Sequence, residues 1–300
     1  MLYHLAVPRI DSVRIFFDAA SDTEALGCYA WCQTVAAGLF PILGDFEVGL
    51  RNALHRALSQ YYGGVDSHNW LIPQSIAGQD ERRKSTHSLG QRTRNDVVTI
   101  ADKIARRKGS VNQDDIVAAL SFGFWEQIVS SIDYRTHPAD LQERILSAVF
   151  PHAPDIDAFP YRSVNFKQRA VRLLSQVRDV RNRIGHHDAI WSVHEFDEYG
   201  KKGFVPRKPH HACASIEKFA QRTAWFAGWI DPVITRHIRT SDHWSRLHVL
   251  LTDGALRLYK STGGQHGTYE AILKASSGTT RVHSTAHTRS LRAVEIPPCF

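Results

Sequence analysis

Cysteine is scarce in this chain, and its four copies are scattered along the sequence as Cys28, Cys32, Cys213 and Cys299. So few and so widely spaced cysteines exclude a disulfide framework. The sequence has no CxxC pair, which argues against a structural zinc site. Cys28 and Cys32 lie one helical turn apart, a spacing that a buried helix face explains. We therefore expect neither a metal nor a cofactor.

Long apolar runs are also missing. No stretch reaches the roughly 18 consecutive apolar residues that are typical of a membrane-spanning helix. The first residues, MLYHLAVPRIDSVR, lack the charged start, apolar centre and small-residue cleavage site of a secretory signal. The sequence therefore predicts a cytoplasmic protein with no membrane partner.

Positive charge is in excess. Lysine and arginine total 37 against 30 for aspartate and glutamate, which gives a net charge of +7. A positive surface attracts phosphate backbones because binding releases counterions, so nucleic acid is a reasonable partner. A basic protein that is merely soluble has the same composition, and the charge alone does not choose between the two.

Apolar residues recur at helical spacing along most of the chain, and neither an internal repeat nor a strand–helix alternation interrupts them. The sequence therefore predicts an all-α fold. The expected helices cover residues 22–62 (one helix, or two joined near Pro41), 92–108, 114–131, 139–149, 163–184 and 214–238, with a loop at 63–90. We expect residues 1–240 to form a helical domain and residues 241–300 a variable, weakly structured C-terminal tail.

One segment combines residue types suited to RNA chemistry. The expected helix at 163–184 ends at Gly185 and has a buried side that comprises Phe166, Ala170, Leu173, Leu174, Val177 and Val180. It leads into the sequence RNRIGHHDAIW, which places Arg181 and Asn182 shortly before His186. This Arg-x4-His spacing resembles the motif of HEPN ribonucleases. The resemblance implies that Arg181, Asn182 and His186 are catalytic.

Two further segments widen the resemblance. They are FEVGLRNALHRAL at 46–58 and LSFGFWEQIV at 120–129. Together with the motif they cover about residues 11–191, and the whole resembles the Abi-like (abortive infection) family. The resemblance implies a HEPN-like helical bundle with added helices, a homodimer whose two motifs line one cleft, and Glu47, Arg51, Asn52 and His187 as supporting residues around the site.

The residue types fit metal-independent RNA cleavage. A histidine with a pKa near 6.5 exchanges protons at neutral pH, and an arginine offers a planar fork of donors to phosphate oxygens. An asparagine adds neutral donors that can orient the histidine or the scissile phosphate. However, a five-residue step turns a side chain about 140° around an ideal helix, so Arg181 and His186 share a cleft only if the helix ends or distorts near Gly185, or if two copies meet.

Each of these residues also has a structural alternative. Arg181 can pair with Asp179 or Asp188 at the surface. Glu47 and Arg51, spaced i and i+4, can form a helix-stabilising ion pair. His187 is expected to pack or position its neighbours rather than to act as the base. We expect the aromatic run Phe122, Phe124 and Trp125 to be core rather than a stacking platform for bases.

These observations lead to an expected function. The chain is expected to be a metal-independent endoribonuclease of abortive infection (phage defence) or the toxin of a toxin–antitoxin system, with RNA as substrate and an RNA or protein antitoxin as a further partner. Two alternatives remain open. One is a non-catalytic RNA-binding module, and the other is a helical subunit that binds another protein.

Overall fold

The computed structural model describes residues 4–64, 70–71, 90–135 and 137–276. Within these ranges the chain is mostly helical, and the only β-type pairing is an isolated bridge between Phe196 and Lys202. The predicted all-α fold is therefore confirmed. The helices are α1 (Val7–Phe17), α2 (Asp22–Tyr62), α3 (Gln91–Lys108), α4 (Gln113–Ala119), α5 (Phe122–Ser131), α6 (Leu141–Val149), α7 (Val164–Gly185), α8 (Pro209–Ile230), α9 (Pro232–Thr240), α10 (Asp242–Leu250) and α11 (Asp253–Thr262).

Two expected helices are each divided by a capping residue. The helix predicted at 114–131 is α4 followed by α5, because the Ser121 side chain accepts a hydrogen bond from the backbone N–H of Phe124 and starts a new helix. The helix predicted at 214–238 is α8 followed by α9. Asp231 caps α9 through the N–H of Val233, and Pro232 occupies the first turn. By contrast, α2 runs unbroken through Pro41.

The C-terminal part of the chain differs from the expected tail. Helices α10 and α11 lie in the segment beyond residue 240, and helical structure continues to residue 276. Residues 277–300, and most of the loop expected at 63–90, lie outside the described residues.

The chain divides into two compact units, one made of Met1–Val35 with Arg246–Phe300 and the other of Ala36–Ser245.

The first unit is built on a close helix contact. A Cβ added at Gly27 of α2 would lie 2.0 Å from the carbonyl oxygen of Tyr259 in α11, so only glycine fits there. The buried Trp31 donates its indole N–H to the carbonyl of Leu250 at 2.9 Å. Lys260 donates to the carbonyl of Asp18 at 2.6 Å, which fixes the end of α1.

The second unit has an aromatic core. Phe46 of α2 and Phe150, which follows α6, both contact Phe226 of α8, with ring centroids 5.1 and 5.7 Å apart. Trp229 packs against Phe166 of α7 at 6.1 Å. The aromatic residues of α5 that were predicted to be core are buried, as is the predicted apolar stripe of α7. This stripe comprises Phe166, Ala170, Leu173, Leu174, Val177 and Val180.

Helix α2 is long and apolar enough, by length and composition, to cross a membrane. Half of its most apolar window is buried within the structure, and the core helix of a soluble protein meets the same criteria. Cys28 and Cys32 lie on its buried face, as their spacing predicted. The structure is thus consistent with a soluble protein.

Candidate ribonuclease site

The motif lies where α7 ends. The helix begins at a Ser163 cap, buries its apolar stripe, and stops at Gly185 with His186 as the first non-helical residue (φ −99°, ψ 6°). His187 adopts the left-handed conformation (φ 53°). The N–H of Asp188 donates to the carbonyl of Arg183 at 2.8 Å, and the N–H of His187 donates to that of Ile184 at 3.1 Å. These two bonds form a Schellman cap, so the helix ends at the place that the glycine predicted.

A second arginine fixes the turn that follows. Arg183 donates from Nη1 to the carbonyl of Ala189 at 2.9 Å and to the hydroxyl of Ser192 at 2.6 Å. Ile190 and Trp191 anchor the same turn in the core. The two exposed histidines of the motif therefore precede a turn that hydrogen bonds and buried side chains hold in place.

Arg181 leans on α2. Its Nε lies 3.5 Å from Oε2 of Glu47, an ion-pair distance without the alignment of a hydrogen bond. The side chain of Arg181 is 36% exposed and that of Glu47 is 20% exposed. In the described part of the chain, the terminal nitrogens of Arg181 have no hydrogen-bond partner. Glu47 therefore positions the guanidinium and leaves its outer donors available to a ligand.

The ion pair considered between Arg181 and Asp179 does not form. Asp179 instead lies 3.1 Å from Arg178 and 3.2 Å from Lys202. The i, i+4 pair between Glu47 and Arg51 is likewise replaced by the contact between Glu47 and Arg181.

Arg51 supports a neighbouring helix. Its Nη1 donates to the carbonyl of Ala118 at 3.2 Å, in the last turn of α4, where carbonyls lack helical partners. Asn52 is exposed on the same helix as Arg51. Glu47 is thus the supporting residue that touches the motif, whereas Arg51 holds α4.

Asn182 and His186 lie on one exposed side of the helix end. They are separated by four residues, the spacing that brings side chains together on a helix, and both are exposed. Arg181 lies about 140° around the axis from His186 on helical geometry. A single chain therefore presents Asn182 with His186 on one side, and Arg181 on the flank that faces α2.

A half-buried ion pair one turn before the motif was not predicted from the sequence. Arg178 of α7 donates to Oε2 of Glu126 in α5 at 2.6 Å, and Glu126 is 7% exposed. Burial raises the pKa of Glu126, while the charge of Arg178 opposes that increase. A carboxylate within the apolar run SFGFWEQIV was the available signal, because a buried charge requires a partner. Both residues line a groove of about 510 Å³ between α3, α5 and α7.

Replacement of Arg178 by leucine should destabilise the protein by about 3 kcal/mol at pH 8, because it leaves Glu126 buried without its cation. The change removes the charge and the hydrogen bond that lower the pKa of Glu126, so that pKa rises further. A carboxyl group with a pKa that is higher in the folded than in the unfolded state favours folding when it is protonated. The lost stability should therefore return in part as the pH falls from 8 to 5.

Urea denaturation at pH 8 and pH 5 measures this effect, and Arg144→Leu is the matched control. Arg144 pairs with Asp140 at 3.0 Å in solvent, so its loss should cost about 0.5 kcal/mol or less. Equal losses for Arg178→Leu and Arg144→Leu, or a loss for Arg178→Leu that grows as the pH falls, would contradict the assignment.

The chain matches no protein-family model, no curated protein and no solved structure. The resemblance to Abi-like proteins therefore rests on the residues of the chain, and it stays a prediction. Within the described ranges, no group of three or more histidine, cysteine, aspartate or glutamate side chains is placed to hold a metal ion.

Proposed function

We propose that the protein is a metal-independent endoribonuclease whose site is formed by Arg181, Asn182 and His186. One observation carries the proposal. The end of α7 carries an exposed imidazole and, on the flank that faces α2, a guanidinium that Glu47 positions and whose outer nitrogens have no partner in the described part of the chain. An imidazole and a guanidinium are the groups that this reaction requires.

The proposed roles follow from the chemistry of each group. His186 takes the proton from a 2′-hydroxyl, whose oxygen then attacks the adjacent phosphorus. The P–O bond to the next nucleotide breaks, and its 5′-oxygen leaves with a proton from the imidazolium or from water. Arg181 stabilises the additional negative charge on the phosphorane, and Asn182 orients the imidazole or the phosphate. The products are a 2′,3′-cyclic phosphate and a 5′-hydroxyl.

We further propose that two copies complete the site. Because His186 and Arg181 diverge by about 140° in one chain, a two-fold pairing of the α7 ends would place His186 opposite Arg181 of the partner subunit. The net charge of +7 favours binding of an RNA strand across such a seam.

The biological setting is proposed from the family resemblance. A cytoplasmic nuclease of this kind would act in abortive infection after phage entry, or as a toxin restrained by an RNA or protein antitoxin. The RNA that it cuts would then be a cellular one whose loss stops growth.

The test is to incubate the purified protein with mixed single-stranded and structured RNA in excess EDTA. We expect cleavage with 2′,3′-cyclic phosphate and 5′-hydroxyl ends, detected by mass spectrometry of the fragments. Cleavage that requires a divalent metal, or fragments with 5′-phosphate ends, would contradict the mechanism. RNA binding that falls with salt but yields no fragments from any RNA would instead indicate the non-catalytic RNA-binding module.

A further inference from the structure

A second cleft in the unit Ala36–Ser245 shares no residue with the ribonuclease motif. It has a volume of about 490 Å³, within the ~300–1,000 Å³ of small-molecule sites. Its lining combines cations with aromatic rings. The residues that matter are Lys218, Arg222 and Trp225 of α8, Glu195 and Phe196 of the segment before α8, and Arg239 of α9.

The cleft wall formed by residues 194–203 is fixed in place. Two backbone hydrogen bonds close a hairpin: the N–H of Gly203 donates to the carbonyl of Glu195 at 2.8 Å, and the N–H of Glu195 donates to the carbonyl of Phe204 at 2.9 Å. Two arginines of α7 hold its tip, since Arg169 donates to the carbonyl of Glu198 and Arg172 donates to that of Tyr199, both at 3.0 Å. The cleft is therefore preformed, which lowers the entropic cost of binding a ligand.

The one carboxylate in the lining is neutralised within the protein. Glu195 accepts hydrogen bonds from Lys218 at 2.9 Å and Ser215 at 2.8 Å. Burial alone would raise the pKa of Glu195, but these two bonds together with the charges of Lys218 and His211 outweigh burial and hold the pKa below its ordinary value. Glu195 therefore stays ionised and engaged with Lys218.

The two arginines that line the cleft can bind an anion. Arg222 lies 4.9 Å from the ring centroid of Trp225, and its nearest carboxylate, on Glu198, is 3.9 Å away. Arg239 is exposed and takes part in no ion pair within the described residues. Two guanidinium groups beside rings of Phe196 and Trp225 match a ligand that is planar at one end and doubly negative at the other.

We propose that this cleft binds one nucleotide, with its base against the aromatic lining and its phosphate between Arg222 and Arg239. The shared chemistry is an aromatic base linked to a phosphate. The source is either a nucleotide of an RNA strand or a free nucleoside monophosphate. The proposal does not depend on the ribonuclease activity, because no residue of the motif takes part.

Isothermal titration of the full chain with AMP tests the proposal, with inorganic phosphate and adenosine as separate probes. We expect AMP to bind at least about tenfold more tightly than either fragment, because only AMP contacts both the rings and the guanidinium groups. Arg239→Ala should weaken AMP binding by about tenfold or more, since it removes charge-assisted hydrogen bonds. Arg236→Ala is the matched control, because Arg236 is exposed on the same helix and does not line the cleft.

A competition experiment identifies whether the bound nucleotide belongs to an RNA strand or is free. The competitor is a 2′-O-methyl RNA tetranucleotide, which a 2′-hydroxyl mechanism cannot cleave. Displacement of AMP assigns the cleft to an RNA strand, and the absence of displacement assigns it to a free mononucleotide. Equal effects of Arg239→Ala and Arg236→Ala, or AMP that binds no better than inorganic phosphate, would overturn the proposal. Binding that is unchanged in His186→Ala separates this result from the fate of the ribonuclease proposal.

Discussion

His186→Ala should reduce RNA cleavage in EDTA by about 10²–10⁴-fold, the contribution typical of a positioned general acid or base. The imidazole is the one group in the proposed site that can take the 2′-hydroxyl proton at neutral pH. The variant should fold normally, because His186 is exposed and the hydrogen bond from its backbone N–H to the carbonyl of Asn182, at 2.9 Å, does not involve the side chain. Initial rates on a fluorescent RNA, with circular dichroism as a check of folding, measure the effect.

The adjacent histidine supplies a matched control. His187 occupies the left-handed position of the helix cap, a conformation that costs a non-glycine residue about 1–2 kcal/mol. His187→Gly should therefore leave the cap intact, raise the free energy of unfolding by up to about 1 kcal/mol, and keep most of the activity. If His187→Gly loses as much activity as His186→Ala, the proton-transfer role belongs to the other imidazole or to neither.

Arg169→Met should destabilise the protein by about 3–5 kcal/mol, the cost of breaking a buried charged network. Arg169 is 1% exposed and bonds to the carbonyls of Glu198 at 3.0 Å and Pro154 at 3.3 Å, with Asp155 at 3.4 Å. Methionine can fill the space, but it leaves two backbone carbonyls without donors. Each such loss costs about 1–3 kcal/mol.

Aromatic rings add to the stability of this arginine. Its guanidinium carbon lies 5.4 Å from the ring centroid of Phe159, 5.1 Å from that of Tyr199 and 4.8 Å from that of Trp229. A desolvated cation–π contact contributes about 2 kcal/mol or more, so the three rings add to the stabilisation that the hydrogen bonds give this arginine.

Guanidinium denaturation measures this prediction, and Arg172→Met is the control. Arg172 lies one turn along α7 and makes a single hydrogen bond within the described ranges, to the carbonyl of Tyr199 at 3.0 Å, so its loss should cost about 1 kcal/mol. A difference of less than about 1 kcal/mol between the two variants would show that Arg169 is not the anchor of the hairpin at 194–203.

Helix periodicity predicted the fold because one apolar stripe defines each long helix. The stripe of α7 and the end of that helix at Gly185 were both predicted from the sequence. Breaks within an apolar stretch were missed. Ser121 and the Asp231–Pro232 pair each start a new helix. The spacing of apolar residues does not reveal such local starts, because it continues across them.

The motif could be located from the sequence, but its partners could not. The spacing of Glu47 and Arg51 predicted a local pair, whereas Glu47 contacts Arg181, which is 134 positions away along the chain (181 minus 47). Tertiary packing brings Glu47 to Arg181, and the spacing of residues within α2 does not predict which other helix packs against it. The Glu126–Arg178 pair is missed for the same reason.

The most direct test of the proposed site mixes two inactive variants, Arg181→Ala and His186→Ala, under conditions that allow subunits to exchange. If each site combines His186 of one copy with Arg181 of the partner subunit, half of the dimers are mixed and each holds one intact site. The mixture should then recover about a quarter of the wild-type activity, as two-fold symmetry requires. A mixture that is no more active than either variant alone would contradict a site shared between two copies.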